Sequence, residues 1–174
     1  IFNSSKIFNI IPNQIINLCA AVECIHSYSL IHDDLPCMDN DTLRRGKPST
    51  HIKFGESTAI LAGNSLLTLA FEIIADKKFN VDTTVKLNLI KKLSECAGHV
   101  GIAGGQFLDL NYEKKKINFK KIINMQRKKT GKLFEFCCLA PAIIAKKSIK
   151  TQKEMSMVGA ELGLLFQICL LYTS

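Results

Sequence analysis

Apolar residues recur every three to four positions along most of the chain, a spacing that predicts amphipathic helices. The first predicted helix covers about 13–33 and starts after Pro12, with Asn13 as its N-cap. A second covers 57–75 and is apolar nearly all round, so we expect it at the centre of the fold. Later helices are predicted to begin near Thr83, Asn118 and Thr151.

No part of the sequence shows the sustained alternation of apolar and polar residues that is typical of half-buried strands, so the predicted fold class is all-α. Pro141 is expected to end or kink the helix that follows Asn118. Four glycines lack the spacing of nucleotide-binding loops and indicate close helix packing; they are Gly98, Gly101, Gly104 and Gly105. Because no repeat or flexible linker divides the sequence, we expect one domain.

The composition fits a globular domain, since 47% of the 174 residues are apolar and 22% are charged. Charge-free stretches are shorter than the roughly 18 to 20 residues of a membrane-spanning helix, so no span is predicted. Seven cysteines, with no pair two residues apart, favour a reducing cytoplasm and no zinc site. The formal charge is +8, but the lysine runs contain few aromatic residues, so we interpret them as solvated helix faces and expect no nucleic-acid partner.

Four of the seven aspartates lie within nine positions, at Asp33, Asp34, Asp39 and Asp41. Close carboxylates repel one another unless a cation lies between them, and hard oxygen ligands suit Mg²⁺, which often bridges carboxylates to substrate phosphates. On a straight helix Asp33 and Asp39 would be roughly 600° apart, which is a third of a turn out of register. Pro36 disfavours helical conformation at the residue before it, so Asp39 can fold back toward Asp33.

Positively charged residues follow the aspartates directly, at Arg44, Arg45 and Lys47. Guanidinium groups bind phosphate oxygens in bidentate fashion, so their position beside metal-binding carboxylates predicts a site for a magnesium diphosphate. The alternative is a solvated Asp/Asn/Pro turn between two helices. A calcium loop does not fit, because Leu43 stands at the third ligand position and Arg44 stands where the turn needs glycine.

The aspartates end a segment, 23–39, that is followed in order by motifs at 43–48, His51, 54–56, 60–66, 104–106, 109–110 and 129–131. This series resembles the trans-prenyl diphosphate synthase, or polyprenyl synthetase, family over about 13–168, and is closest to its bacterial farnesyl diphosphate synthases. The resemblance implies an isoprenoid-synthase helical bundle around a central cavity. It also implies a prenyltransferase in which Mg²⁺ assists ionisation of an allylic diphosphate, dimethylallyl or geranyl, and isopentenyl diphosphate attacks the carbocation.

The resemblance also implies the roles of individual residues. Asp33, Asp34 and Asp39 would hold Mg²⁺ and, with Lys129, carry the catalysis. The implied ligands of the allylic diphosphate are Arg44, Lys129, Thr130 and Gln167, and those of isopentenyl diphosphate are His26 and Arg45. Structural alternatives remain open, because His26 could be a partly buried helix histidine and Lys129 with Thr130 an exposed helix step. Asp109 could equally be a charge on a helix surface.

The chain length of the product is expected to depend on Tyr28 and Ser29, which precede the first aspartate by five and four residues. At that helical spacing both side chains would project into the same cavity. An aromatic residue beside a small one resembles the bacterial farnesyl type, which predicts a fifteen-carbon product. A geranylgeranyl synthase, with a twenty-carbon product, remains the alternative.

The sequence departs from the family after Gln167, where a second aspartate pair is expected and Cys169 to Ser174 stand instead. We therefore expect 1–168 to be a partial isoprenoid-synthase domain and 169–174 a possible non-native tail. The family's first isopentenyl diphosphate motif would precede Ile1. The chain as written is expected to have little or no activity, and the parent protein to be a homodimer. An inactive synthase-like subunit and a terpene cyclase are the other classes left open.

Overall fold

The computed structural model describes residues 1–173, with side chains through Cys169. In that part of the chain the all-α prediction is confirmed, and the only strands form one short antiparallel hairpin, β1 Leu43–Arg44 and β2 Lys47–Pro48. A 3₁₀ turn covers Pro12–Gln14 and a π turn covers Arg127–Gly131. The α-helices are α1 Phe2–Lys6, α2 Ile16–Asp33, α3 Thr50–Phe54, α4 Glu56–Ala75, α5 Thr83–Ala97, α6 Ile102–Tyr112, α7 Phe119–Gln126, α8 Lys132–Ile144 and α9 Ile149–Thr173.

Helix α2 ends at Asp33, as the aspartate pattern and Pro36 predict. Its start differs from the prediction, because Asn13 lies inside the 3₁₀ turn and Ile15 is the N-cap. The amide of Ile15 donates to the carbonyl of Pro12 at 3.0 Å, and the Ile15 side chain is fully buried. Burial of Ile15 therefore decides where the helix starts, and the capping preference of Asn13 does not.

The core forms where α2 and α4 lie side by side, with α5 and α8 closing it. Close approach of α2 and α4 depends on Gly63, since a Cβ there would lie 2.1 Å from Nε2 of His32. The same nitrogen lies 3.1 Å from the carbonyl oxygen of Ile60. Fully buried core side chains include Leu18, Ala21, Ile25, Ala70, Ile74, Leu89, Leu93 and Ala140.

Helix α4 is buried along one face only, which differs from the expected central position. Leu61 is 65% exposed and Leu69 is 40% exposed. Among the described residues, α4 is also the one helix long and apolar enough to cross a membrane, with a mean hydropathy of 1.6. Length and composition do not separate a membrane span from an apolar interface helix, and α4 packs along α2 in this fold.

Helix α8 continues through Pro141 to Ile144, so of the two predicted outcomes, an end or a kink, the helix does not end at this proline. Pro141 has no N–H to donate to the carbonyl of Cys137, four residues earlier. The hydroxyl of Ser4, on α1, donates to that carbonyl at 3.0 Å instead. A side chain from the first helix thus supplies the hydrogen bond that the proline cannot make.

Helix α6 was not predicted as a separate element, although its glycines were expected to pack closely. Gly105 confirms that packing, because a Cβ there would lie 2.2 Å from the backbone nitrogen of Lys129 in the π turn. The contact brings α6 and the π turn together at backbone distance. Both segments contribute side chains to the site described below.

Candidate functional site

The turn that follows α2 brings Asp39 back to Asp33, and this prediction is confirmed. The amide of Asp39 donates to the carbonyl of Asp33 at 2.9 Å. Leu35 anchors the turn, because its side chain is buried and its carbonyl accepts from the amides of Met38 and Asn40 at 2.9 and 3.1 Å. Asn40 completes the turn with a left-handed φ of 53°. The two carboxylates therefore reach the same side of the helix end.

The ammonium group of Lys129 lies among three carboxylates. Its Nζ is 2.7 Å from Oδ2 of Asp109, 3.8 Å from Oδ2 of Asp33 and 3.8 Å from Oδ2 of Asp39. The Lys129 side chain is only 22% exposed. We call Asp33, Asp39, Asp109 and Lys129 the carboxylate cluster.

The π turn explains how Lys129 reaches this position. It inserts an extra residue between α7 and α8, and such turns are frequent at functional sites. Its backbone is held against α6 at Gly105. One turn later on the same face of α6, Asp109 accepts from Lys129, so one helix both supports the lysine and pairs with it.

Burial dominates the electrostatics of the carboxylate cluster. It raises the pKa of Asp33 to about 6, against the lowering effect of Lys129, and Asp39 adds to the rise. The pKa of Asp39 is also raised, again first by burial. Burial would lower the pKa of Lys129, but its hydrogen bond to Asp109 and the nearby charges of Asp33 and Asp39 raise it. Lys129 is therefore firmly charged, while ionising Asp33 costs free energy in the folded protein.

Asp34 is buried and pairs with Arg44. Nε of Arg44 donates to both Asp34 oxygens at 3.1 and 3.2 Å, and Nη2 also contacts Oδ1. Arg44 lies on β1, and the hairpin turn that follows has left-handed φ angles of 51° at Arg45 and 74° at Gly46. This is the geometry of a type I′ turn, which turns the chain sharply and leaves Arg45 exposed.

The other predicted ligands lie on three separate elements. Nε2 of Gln167, on α9, donates to the hydroxyl of Thr130 in the π turn, so these two predicted residues do meet. His26 is half-buried on α2, two turns before Asp33. Its carbonyl accepts a hydrogen bond from Ser29 at 2.9 Å. Tyr28 is buried in the core, with its ring edge-on to His32 at 5.6 Å.

Two residues of the site were missed or left open by sequence reasoning. Asp109 was left as a surface charge, yet it makes the shortest ion pair of the carboxylate cluster. Gln106 was quoted only as part of a motif, yet its Nε2 donates to Oδ1 of Asp39 at 3.1 Å. The spacing of three residues between Gln106 and Asp109, which places them on one face of a helix, was the available signal.

A cavity of about 520 Å³ opens beside the carboxylate cluster, bordered by Asp39 and Asp109. Its other walls are largely apolar and come from the aspartate turn, the end of α6 and helix α7. They include Met38, Leu110, Ile117, Ile122 and Met125. Carboxylates at one edge of an apolar cavity suit a ligand with a charged end and a hydrocarbon end.

The donor set fits Mg²⁺ in chemical type. Among the described residues no three His, Cys, Asp or Glu side chains stand close enough to form a ready-made metal site. Mg²⁺ does not require one, because it usually binds through one or two carboxylates and keeps the rest of its shell for water and substrate phosphates. Asp33 and Asp39 supply such a pair, each within 3.8 Å of the same cationic nitrogen.

Both the sequence and the fold are similar to those of known proteins. The family model for polyprenyl synthetases matches residues 1–169. Farnesyl diphosphate synthase of Geobacillus stearothermophilus is 44% identical over 152 residues, which are 87% of this chain and 51% of that protein. An apo FPP/GFPP synthase from Zymomonas mobilis has a TM-score of 0.91 at 41% identity, covering 95% of this chain and 60% of that one. A Helicobacter pylori geranyltransferase complexed with magnesium and isoprenyl diphosphate has a TM-score of 0.85 at 35% identity, covering 90% and 51%.

The fold and the matched sequence define an all-α isoprenoid-synthase fold. The chain belongs to the polyprenyl synthetase family. It spans about half the length of the curated relatives that it matches. The predicted family and the predicted isoprenoid-synthase fold are thereby confirmed.

Proposed function

We propose that the protein containing this chain is a prenyltransferase that joins isopentenyl diphosphate to an allylic diphosphate, with farnesyl diphosphate as product. The carboxylate cluster carries the proposal. Three carboxylates meet one ammonium group at the edge of an apolar cavity, and a guanidinium group lies on the adjacent aspartate. Fixed charges of both signs beside an apolar cavity suit the handling of a metal diphosphate with a hydrocarbon tail.

Asp33 and Asp39 would hold Mg²⁺, which when bound helps to neutralise the departing diphosphate. A metal role for Asp34 stays a prediction, and it requires the pair with Arg44 to open. Lys129 would have two roles, because the same ammonium group that pairs with the carboxylates can also donate to diphosphate oxygens. Its firmly charged state favours that use.

The remaining ligand assignments rest on position. Thr130 and Gln167 lie beside Lys129 and would complete the contacts to the allylic diphosphate together with Arg44. His26 and Arg45 would bind isopentenyl diphosphate. Tyr28 precedes Asp33 by one turn and a half and, with Ser29 beside it, would limit the length of the growing chain, although neither residue borders the cavity of about 520 Å³. The apolar walls would exclude water, which would otherwise quench a carbocation.

The exposed apolar face of α4 supports a homodimer. Ile60, Leu61 and Leu69 are each at least 40% exposed on a helix whose opposite face packs on α2. A second copy would cover this apolar surface. We place the protein in the cytoplasm, since the six cysteines from Cys19 to Cys138 are free thiols.

A product assay of the whole protein tests the reaction. Geranyl diphosphate and radiolabelled isopentenyl diphosphate are incubated with Mg²⁺, and the product is separated by chain length. We expect a fifteen-carbon diphosphate, and loss of at least about 100-fold in rate for Asp39→Ala, within the range that removal of a transition-state contact produces.

Asp82→Asn is the matched control, because Asp82 is exposed and pairs with Lys146 far from the carboxylate cluster. It should keep the rate of the unmodified protein. Absence of any condensation product with the unmodified protein would refute the proposed reaction. A twenty-carbon product would replace the farnesyl assignment with the geranylgeranyl one.

A further inference from the structure

Gln106 connects α6 to the aspartate turn. Its Nε2 donates to Oδ1 of Asp39 at 3.1 Å, across 67 residues of sequence. The side chain is buried, with 5% of the residue exposed, whereas Asp39 itself is 34% exposed. The buried amide of Gln106 therefore holds the more exposed carboxylate of Asp39.

The position of Gln106 is rigid. Its neighbour Gly105 lies against the backbone of Lys129, where even one added carbon would clash. Three residues further along α6, Asp109 pairs with the ammonium group of Lys129. Gln106 thus lies between two contacts that hold its part of α6 against the π turn.

The amide of Gln106 also carries an acceptor, Oε1. Oε1 of Gln106 is buried and has no hydrogen-bond partner among the described residues. The orientation of the amide follows from Asp39, because an ionised carboxylate only accepts and must face the NH₂ group. An unpaired buried acceptor is unfavourable, so the bond from Nε2 to Asp39 is the contact that accounts for an amide at this position.

We infer that Gln106 is a positioning residue for the metal site: it fixes the carboxylate of Asp39 through Nε2. The inference rests on the proposed function, because it assumes that Asp39 binds the metal. Residues that orient a metal ligand in this way typically change metal affinity by roughly 10–100-fold when they are replaced. Gln106 acts on the reaction only through Asp39.

The test measures Mg²⁺ affinity in the whole protein by isothermal titration calorimetry, with inorganic pyrophosphate present. Gln106→Met keeps the length of the side chain and removes both donor and acceptor. We expect its Mg²⁺ dissociation constant to rise by roughly 10–100-fold with little change in melting temperature. Gln106→Leu serves as a second variant if the methionine variant does not fold.

Asn111→Met is the matched control, since Asn111 is an exposed amide on α6 whose Nδ2 donates to the carbonyl of Phe107 on its own helix. It should leave the dissociation constant unchanged.

A second readout separates positioning from a general effect on structure. In an Asp39→Ala background, Gln106→Met should change the affinity by less than about twofold, because the residue it orients is gone.

Two results would overturn the inference in different ways. If the unmodified protein binds Mg²⁺ and pyrophosphate and Gln106→Met binds them equally well, Gln106 does not position the site, although the proposed function stands. If the unmodified protein binds no Mg²⁺ at all, the metal site fails and the inference fails with it. Equal losses from Gln106→Met with and without Asp39 would also refute positioning through Asp39.

Discussion

Asp33 should destabilise the metal-free protein, and Asp33→Asn should therefore stabilise it. The carboxylate is buried at the end of α2, with its side chain 15% exposed, and burial raises its pKa to about 6. In the unfolded chain the pKa is roughly 3.9. Between these values the folded protein binds more protons than the unfolded one, so stability falls as the pH rises from about 4 to about 6.

The size of the effect follows from the two pKa values. Each tenfold difference in acidity corresponds to about 1.4 kcal/mol, so ionising Asp33 costs the folded state about 3 kcal/mol at pH 7.5. At pH 4.5, where the folded carboxyl is still protonated, the cost is only about 1 kcal/mol. Asparagine resembles the protonated acid in shape and carries no charge. The variant should thus gain about 3 kcal/mol at pH 7.5 and about 1 kcal/mol at pH 4.5.

Urea unfolding followed by circular dichroism, in EDTA, measures the difference at both pH values. Asp34→Asn is the matched control at the adjacent position, and it should have the opposite sign. It replaces one of the two oxygens that accept from Arg44 by an NH₂ group, removes the charge of the pair, and should lose about 1.5–3 kcal/mol. The reasoning is refuted if Asp33→Asn destabilises the protein at pH 7.5, or if its gain is the same at both pH values.

Three further substitutions test other contacts. Gly105→Ala places a Cβ against the backbone of Lys129 and should cost about 1–3 kcal/mol in urea unfolding, whereas Gly131→Ala, with 3.8 Å of clearance, should cost less; equal losses would contradict the packing argument. Ser4→Ala leaves the Cys137 carbonyl unpaired and should lose about 1–3 kcal/mol in the same assay, and an unchanged stability would show that water replaces the hydroxyl. Ser29→Phe should shorten the product of the whole protein, and an unchanged product spectrum by chromatography would disprove its role in chain length.

The aspartate turn could be predicted from the sequence because its cause is local. Pro36 stands three residues after the last residue of α2, and its effect on the chain does not depend on distant contacts. Pro36 allows the return of Asp39 to Asp33, and the buried Leu35 and the left-handed Asn40 complete the turn. Local rules failed at Asn13, where burial of the neighbouring Ile15 sets the helix start. At Pro141 the local rule predicted an end or a kink; the helix does not end there, and Ser4 of α1 supplies the hydrogen bond that the proline cannot make.

The position of Lys129 could not be predicted, because it depends on tertiary structure. The lysine reaches the carboxylates through a π turn that packs on Gly105, 24 residues earlier in the chain. Spacing along the sequence says nothing about this contact. The same holds for Gln106, whose bond to Asp39 joins α6 to a turn 67 residues away. Motif resemblance named Lys129 as a diphosphate ligand, but it did not indicate the three carboxylates around it.

Lys129 gives the carboxylate cluster a built-in counter-ion, so entry of a metal ion into the proposed site would be an ion-exchange step. A cation that approaches Asp33 and Asp39 would compete with an ammonium group that is covalently tethered and never diffuses away. Na⁺ or K⁺ would exchange one charge for one charge and gain little. A divalent ion would bring twice the charge to the same carboxylates, and Coulomb attraction scales with that charge. The tethered ammonium group would therefore favour divalent over monovalent ions at the proposed site.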